Sequence, residues 1–182
     1  KGPVLVSGAS GGVGSMAVAM LAKLGYEVTA VTGKEEAHVY LQELGAADVI
    51  PRERLVEEEH KPLLQQKWSG AIDPVGGEPL SYILSTLQYG GAVANCGLTE
   101  GVQVNTSVFP FILRGIQLIG IDSVHCPMDV RLKIWKRLAT DLKLPADVLE
   151  RIKQPVRLQE VPDYIAKLLQ GSVHGRTLVV LE

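Results

Sequence analysis

VLVSGASGGVG, residues 4–14, is the stretch that decides the fold of this 182-residue chain. Its apolar first half predicts a buried strand, and residues 15–24, which follow it, predict a helix. Between the two, Ala9, Gly11 and Gly14 have the spacing of the dinucleotide-binding fingerprint, with alanine in place of the first glycine. Gly11 would let a pyrophosphate approach the backbone, and Gly14 would let the helix pack closely on the strand.

The sequence around this turn decides whether its glycines indicate a dinucleotide-binding unit. Glycine is frequent in turns for purely conformational reasons, so a glycine turn in some other α/β domain is the alternative. Here a second strand is predicted at residues 27–31, where a βαβ unit requires one. The stretch therefore predicts a dinucleotide-binding unit.

Composition and charge exclude several classes of protein. The chain is 46% hydrophobic and has a formal net charge of -2, which favours one substantial core and argues against nucleic acid as the main partner. No apolar run approaches the roughly 20 residues of a membrane span, and no signal peptide is visible. Cys96 and Cys126 form no CxxC pair, so we expect a reducing cytoplasm, and cysteines that pack as small apolar side chains rather than bind metal.

The rest of the chain alternates between predicted strands and helices. Further strands are predicted at residues 47–50, 68–72, 91–95 and 116–121, and helices at residues 35–44, 53–67 (with a break at Pro62), 79–87 and 108–114. This alternation predicts an α/β Rossmann fold, in which a doubly wound, parallel six-stranded sheet forms the middle of three αβα layers. In such a fold the ligand crevice lies at the carboxyl ends of the strands.

The end of the chain departs from this alternation. Helices are predicted at residues 130–142, 146–153 and 161–170, and a final strand at residues 175–181 has no obvious neighbour among the six. We therefore divide the chain into a Rossmann domain, residues 1–143, and a tail, residues 144–182.

The end of the second strand indicates which cofactor is bound. NAD enzymes place an acidic residue there, whereas NADP enzymes offer a cation and small donors to the 2′-phosphate. This chain has Thr32, Gly33 and Lys34, with no carboxylate, which favours NADP. NAD stays open, because Thr32 and Glu35 also have the spacing of a helix capping box and Lys34 would then be merely solvated.

The same turn also satisfies the looser glycine pattern of short-chain dehydrogenases, through Ser7, Gly8, Gly12 and Gly14. Those enzymes need a catalytic Tyr-x-x-x-Lys. None of the five tyrosines has a lysine four residues further on, so this interpretation lacks its chemistry.

Taken together, the chain resembles the medium-chain dehydrogenase/reductase superfamily, and within it the zinc-independent branch of acryloyl-CoA reductases and quinone oxidoreductases. The resemblance runs over essentially the whole chain. It is carried by residues 6–15, 70–73, 89–91, 96–98, 109–114 and 120–124, of which the last two blocks are more specific than the glycine turn.

The resemblance implies an enzyme that uses NADPH to reduce the C=C bond of an α,β-unsaturated thioester, acryloyl-CoA to propanoyl-CoA. An NADPH-dependent quinone reductase of the same superfamily would share every cofactor residue. A non-catalytic nucleotide-sensing or structural domain would share the glycine turn but has no reason to keep the blocks around Ile112 and Ser123.

The resemblance also implies which residues hold the cofactor. One group would cradle the pyrophosphate, a second would take the 2′-phosphate and adenosine, and a third would line the nicotinamide side. In that order they are Ser10, Gly11, Gly12 and Val13; Thr32, Gly33, Lys34 and Arg52; and Leu98, Ile112 and Ser123. Several members have arginine in place of Lys34, and a cofactor-contacting asparagine of the family corresponds to Gly171, so that contact is not carried over.

The family's domain organisation implies that this chain is a fragment. A complete member begins with a catalytic domain that supplies much of the substrate site, and the final strand returns to pack with it. We expect that domain to be absent here, and this chain alone to hold cofactor without turnover. Members commonly form homodimers through an edge of the cofactor domain, here the strand at residues 116–121.

Four other residues have simpler interpretations. Asp73 precedes a proline after a strand and is expected to form a turn. Trp68 and Trp135 are expected to anchor the core. His125 is the one histidine that we would test as a proton donor.

Overall fold

The computed structural model describes residues 2–56 and 61–181 of the chain. Its strands are β1 (Val4–Val6), β2 (Val28–Thr32), β3 (Asp48–Pro51), β4 (Trp68–Asp73), β5 (Leu87–Asn95), β6 (Gln117–Gly120), β7 (Lys153–Arg157) and β8 (Arg176–Val180). Its α-helices are α1 (Gly12–Lys23), α2 (His38–Glu43), α3 (Gly77–Thr86), α4 (Phe109–Arg114), α5 (Met128–Ala139), α6 (Ala146–Ile152) and α7 (Val161–Leu169).

The central sheet has the predicted doubly wound topology. Six parallel strands follow the order β3-β2-β1-β4-β5-β6, so the chain winds outward on one side of β1 and then crosses back to begin again at β4. A crevice opens where the winding direction changes, outside the carboxyl ends of β1 and β4. The predicted Rossmann fold is confirmed.

Each face of the sheet is covered by its own hydrophobic cluster. Successive side chains of a strand point to opposite faces, and accordingly Val6 packs in a cluster with Val18 of α1, whereas Leu5 packs in a second cluster with Ile83 of α3. All four of these side chains are fully buried. The result is the expected arrangement of helices, sheet and helices.

The predicted tail is continuous with the first of these clusters. Leu144 and Ile152, at the two ends of the segment that contains α6, are buried in the cluster of Val6 and Val18. Further along, β8 pairs in parallel with β7, in a two-stranded sheet separate from the central one. The final strand indeed has no neighbour among the six, but β7 was not predicted, because Pro155 and three long polar side chains obscure a strand pattern.

The helix predicted at residues 53–67 is wrong for the residues that the structure describes; residues 57–60, which include His60, lie outside them. The chain forms one short 3₁₀ turn at Arg52–Leu55, and residues 61–67 are not helical. Leu64 and Lys67 instead donate their backbone N–H groups to the carbonyls of Ser85 and Thr86 at the end of α3 (3.0 and 2.8 Å). Docking to α3 thus replaces the helix that the charged pattern suggested.

The prediction for Trp135 is also wrong. Trp135 is 61% exposed, and none of the residues of α5 is buried, whereas Trp68 packs against the second cluster as expected. The predicted helix is present as α5, but no described element covers its apolar side chains. No helix within the described residues is long and apolar enough to cross a membrane.

Gly14→Ala is expected to destabilise the fold. A Cβ atom at Gly14 would lie 2.4 Å from the Gly8 carbonyl oxygen and 2.6 Å from the Ala9 Cα, so α1 must move away from β1. Overpacking of this kind costs about 1–3 kcal/mol, measurable by urea denaturation. Gly120→Ala is the control, because no atom lies within 4 Å of its added Cβ. Equal midpoints for the two variants would contradict the role of Gly14.

Candidate functional site

The glycine-rich turn at the carboxyl end of β1 is fixed by hydrogen bonds. The Ala9 N–H donates to the Val31 carbonyl on β2 (2.9 Å), and the Gly11 N–H donates to the Gly8 carbonyl (3.0 Å). The Ser15 hydroxyl on α1 donates to the Ala9 carbonyl (3.2 Å). Gly11 is the N-cap of α1, and no described side chain caps this helix. Its first amides are therefore available to an anion in the crevice.

Two buried hydroxyls join this turn to the end of β2. The Ser10 and Thr32 hydroxyl oxygens lie 2.9 Å apart, and the Thr32 oxygen also accepts from the Lys34 N–H (3.2 Å). The capping-box alternative is not supported, because the 3₁₀ turn that begins at Glu35 has Lys34 as its N-cap and no side-chain cap. The structure thus brings the residues predicted for the pyrophosphate and for the 2′-phosphate together.

Arg52 lies across Gly33 at the same end of the sheet. A Cβ atom at Gly33 would lie 2.8 Å from the Arg52 Nε, so the guanidinium rests directly on the backbone of Gly33. The Arg52 Nη1 also lies 3.4 Å from a carboxylate oxygen of Glu100. Both side chains of that ion pair are well exposed, so it holds the guanidinium only weakly.

Lys34 contacts the tail. Its ammonium group donates to the carbonyl of Val173. Removal from water lowers the pKa of Lys34, and the nearby carboxylate of Glu36 partly opposes that shift. Lys34 and Arg52 thus place two positive charges beside Thr32, where the sequence lacks a carboxylate.

Arg176 is a site residue that the sequence analysis missed. It begins β8, and its guanidinium lies against the glycine-rich turn: a Cβ atom at Gly12 would be 2.7 Å from the guanidinium carbon. The preceding Gly175 donates its N–H to the Ser10 carbonyl (2.8 Å), which holds the start of β8 on the turn. No local spacing could reveal this contact, since the two segments lie at opposite ends of the chain.

A groove lies at the carboxyl ends of β4, β5 and β6. Its lining includes Asn95, Gly97, Leu98, Ile121 and Asp122. The structure therefore places the predicted Leu98 beside the beginning of the block at residues 120–124, on the far side of the switch point from Thr32.

The other two predicted nicotinamide-side residues are placed differently. Ile112 lies on α4 with 69% of its surface exposed, and Ser123 is also exposed. Within the described part of the chain neither lines the groove, although Ser123 directly follows Asp122, which does. The Ser123 carbonyl accepts from the Arg131 guanidinium (2.7 Å), so its position is fixed by α5.

His125 takes part in the turn after β6. The Asp122 carboxylate accepts from the backbone N–H groups of His125 and Val124 (3.1 and 2.8 Å) and lies 3.0 Å from the His125 Nδ1. The His125 N–H bond, then that from Val124, holds the pKa of Asp122 below its usual value. The His125 side chain is 85% exposed, so it contacts Asp122 on the solvent-facing side of the turn.

Two curated relatives match nearly the whole chain. YhfP of Bacillus subtilis, which is named as a quinone oxidoreductase, is 52% identical over 181 residues and covers 100% of this chain. The acrylyl-CoA reductase AcuI of Ruegeria pomeroyi is 47% identical over 178 residues and covers 98% of this chain. The matches cover 54% and 53% of those relatives, so the chain spans about half of their length.

Solved structures show the same fold. The YhdH oxidoreductase of Salmonella enterica, crystallised in complex with NADP, superposes with a TM-score of 0.94 at 45% identity, over 100% of this chain and 55% of that one. The YhfP structure, with NAD bound, has a TM-score of 0.91 at 52% identity, over 99% of this chain and 54% of that one. Each of these proteins thus holds a dinucleotide.

Residues 12–140 match the family described as zinc-binding dehydrogenase. In residues 2–56 and 61–181, no three His, Cys, Asp or Glu side chains form a group that could hold a metal ion. Cys96 is exposed, so the expectation that it packs as a small apolar side chain is wrong for this residue, although partial removal from water, with a further contribution from Asp73, raises the pKa of its thiol. These residues do not fit zinc, and we assign no step to a metal. On its sequence and its fold, the chain belongs to the zinc-binding dehydrogenase family, within the medium-chain dehydrogenase/reductase superfamily that its motifs predicted.

Proposed function

We propose that this chain is the NADPH-binding part of an oxidoreductase that reduces an α,β-unsaturated CoA thioester, acryloyl-CoA to propanoyl-CoA. The observation that carries the proposal is the convergence of Lys34, Arg52 and Arg176 on the glycine-rich turn and the end of β2. Two of these cations, Lys34 and Arg52, lie at the end of β2, where no carboxylate stands, and suit a dinucleotide with an additional phosphate. The likeness to AcuI supports the choice of substrate.

Each part of the crevice has a distinct task in this proposal. The amides of Gly12 and Val13, together with Arg176, bind the pyrophosphate, because they present positive charge where the backbone is unobstructed. Ser10 holds this turn against the end of β2 through its hydrogen bond with Thr32. Lys34 and Arg52 bind the 2′-phosphate, and Lys34 gives up its bond to the Val173 carbonyl to do so.

The nicotinamide half of the cofactor lies in the groove beside Leu98, and the family resemblance assigns Ile112 and Ser123 to the same side. When bound, NADPH supplies a hydride to the β-carbon of the thioester while the α-carbon gains a proton. The residues of this chain orient the cofactor for that step and exclude water from one side of it. The substrate domain that completes the site precedes this chain in the proposal, and the tail packs against it.

A quinone reductase is the second candidate, because YhfP, named as a quinone oxidoreductase, is 52% identical to this chain. The cofactor crevice is the same in both proposals. Only the acceptor differs.

The acceptor is tested in the full-length protein that contains this chain, by following NADPH oxidation at matched concentrations of acryloyl-CoA and of a soluble benzoquinone. We expect a kcat/KM for acryloyl-CoA at least tenfold above that for the quinone. The reverse ratio would establish the second candidate. No oxidation with either acceptor would favour a nucleotide-sensing domain.

The 2′-phosphate assignment is tested by calorimetric titration with NADPH and NADH. We expect NADPH to bind more tightly than NADH. Lys34→Ala is expected to raise the Kd for NADPH by about 10- to 100-fold, the range for a hydrogen bond to a charged group, and to leave the Kd for NADH unchanged. Lys23→Ala is a matched control. Lys23 lies at the C-terminal end of α1, away from the glycine-rich turn, and its ammonium group also donates to a backbone carbonyl, that of Lys143. Equal binding of the two cofactors would reduce Lys34 to a residue that holds the tail.

Arg176→Ala is expected to raise the Kd for NADPH and the Kd for NADH by the same factor, again about 10- to 100-fold, because both cofactors carry the pyrophosphate. Arg176→Lys should recover part of the loss, since it keeps the charge without the planar fork. The same titration measures both variants. A loss confined to NADPH would move Arg176 from the pyrophosphate to the 2′-phosphate.

The same proposal includes a cytoplasmic homodimer joined at β6. This strand is the edge of the sheet, and its Leu118 and Ile119 side chains are 40% and 42% exposed. An edge strand with apolar side chains readily pairs with a second copy. Leu118→Lys is expected to yield monomers by light scattering. Val39→Lys, at an exposed position near the opposite edge, is the control, and an unchanged dimer in Leu118→Lys would contradict this interface.

A further inference from the structure

Asp73 is a fully buried carboxylate at the end of β4, the strand next to the switch point. It accepts hydrogen bonds from four neutral donors: the Ser7 hydroxyl, the Val75 N–H (3.2 Å), the Gly76 N–H (3.0 Å) and the Asn95 amide (2.8 Å). The bonds to Val75 and Gly76 confirm the predicted turn. The other two bonds are not needed for a turn, because they cross to β1 and to β5.

Asn95 extends this network into the next loop. Its amide nitrogen also donates to the backbone carbonyls of Asp73 (3.2 Å) and Gly97 (3.0 Å). The Cys96 N–H donates to the same Asp73 carbonyl (2.9 Å). The end of β5 and the loop after it are therefore fixed relative to Asp73.

The two loops that Asp73 fixes approach each other closely at Gly97 and Pro74. A Cβ atom at Gly97 would lie 2.1 Å from the Pro74 carbonyl oxygen. Across this contact, a shift of the loop after β4 must displace the loop after β5. The chain cannot relax one wall independently of the other.

These loops form part of the groove on the nicotinamide side. Gly76, Asn95, Gly97 and Leu98 all line it, whereas Asp73 does not and has no exposed surface. On its other side, Asp73 accepts from Ser7, which begins the glycine-rich turn. One buried carboxylate thus connects the turn at the pyrophosphate with the wall of the groove.

We propose that Asp73 is a positioning residue, which sets the groove wall of Gly97 and Leu98 at the correct distance from the glycine-rich turn for a complete dinucleotide. The inference rests on the proposed function, since it takes the groove to hold the nicotinamide half. Asp73 touches neither half of the ligand. A ligand that lacks the nicotinamide does not reach the wall and is insensitive to its position.

The test compares NADPH with 2′-phospho-ADP-ribose, which has the same adenosine, 2′-phosphate and pyrophosphate but no nicotinamide. In Asp73→Asn, an amide NH₂ replaces one acceptor oxygen and faces the Ser7 hydroxyl or the Asn95 amide, both of which donate to Asp73. We expect the Kd for NADPH to rise at least tenfold, while the Kd for 2′-phospho-ADP-ribose changes less than twofold. Asp48→Asn, at an exposed aspartate on β3, is the matched control.

One further variant keeps the test decisive if Asp73→Asn folds poorly. Asn95→Ala removes the bridge to β5 and leaves the turn bonds of Asp73 intact, so it should show the same selective loss of NADPH. A residue that only stabilises the fold would weaken the binding of both ligands alike.

The outcomes separate the inference from the proposed function. Equal losses for both ligands, or no loss for either, in protein whose wild type binds both would overturn the positioning role and leave the proposed function in place. Wild-type protein that binds neither ligand would overturn both. Selective loss of NADPH in both Asp73→Asn and Asn95→Ala supports the inference.

Discussion

The close approach of α1 to the end of β1 is the constraint on which the rest of the structure depends. It is possible only because Gly14 has no side chain against the Gly8 carbonyl and the Ala9 Cα. This contact sets the height of the first helical turn above the sheet. The amides of α1, the Ser10–Thr32 pair and the bond from Gly175 to Ser10 all take their positions from it. An anion site made of backbone atoms needs such a rigid frame, because its donors cannot adjust by rotating.

Much of the fold could be predicted because its signals are local. The glycine spacing, the alternation of apolar strands and amphipathic helices, and the glycines that end them act over fewer than about 15 residues. The exceptions had physical causes. Residues 61–67 bond to the end of α3 rather than to one another, and β7 contains Pro155. Trp135 lies on a predicted helix, but a helix prediction does not reveal whether another element covers the apolar side chains.

The site was predictable to a smaller extent, and for the same reason. Thr32 ends β2 and Lys34 lies two residues further on, so the location of both could be deduced from sequence, whereas Arg52 was placed by family resemblance. Arg176 and the Asp73–Asn95 bond depend on which distant segments meet, which no local pattern encodes. Ile112 and Ser123 remain predictions from the family, since they do not line the groove in the described part of this chain.

The start of β8 rests on the glycine-rich turn, and this contact has a consequence for the order in which the crevice is made. A ribosome synthesises β1, the turn and all six strands of the sheet before it reaches residues 173–176. Domains generally fold as units, and as long as residues 173–176 are missing, Ser10 and Gly12 lack their partners from the tail. The positive charge at the pyrophosphate end is then completed last. The nascent chain carries Lys34 and Arg52 well before Arg176, the cation that lies against the glycine-rich turn.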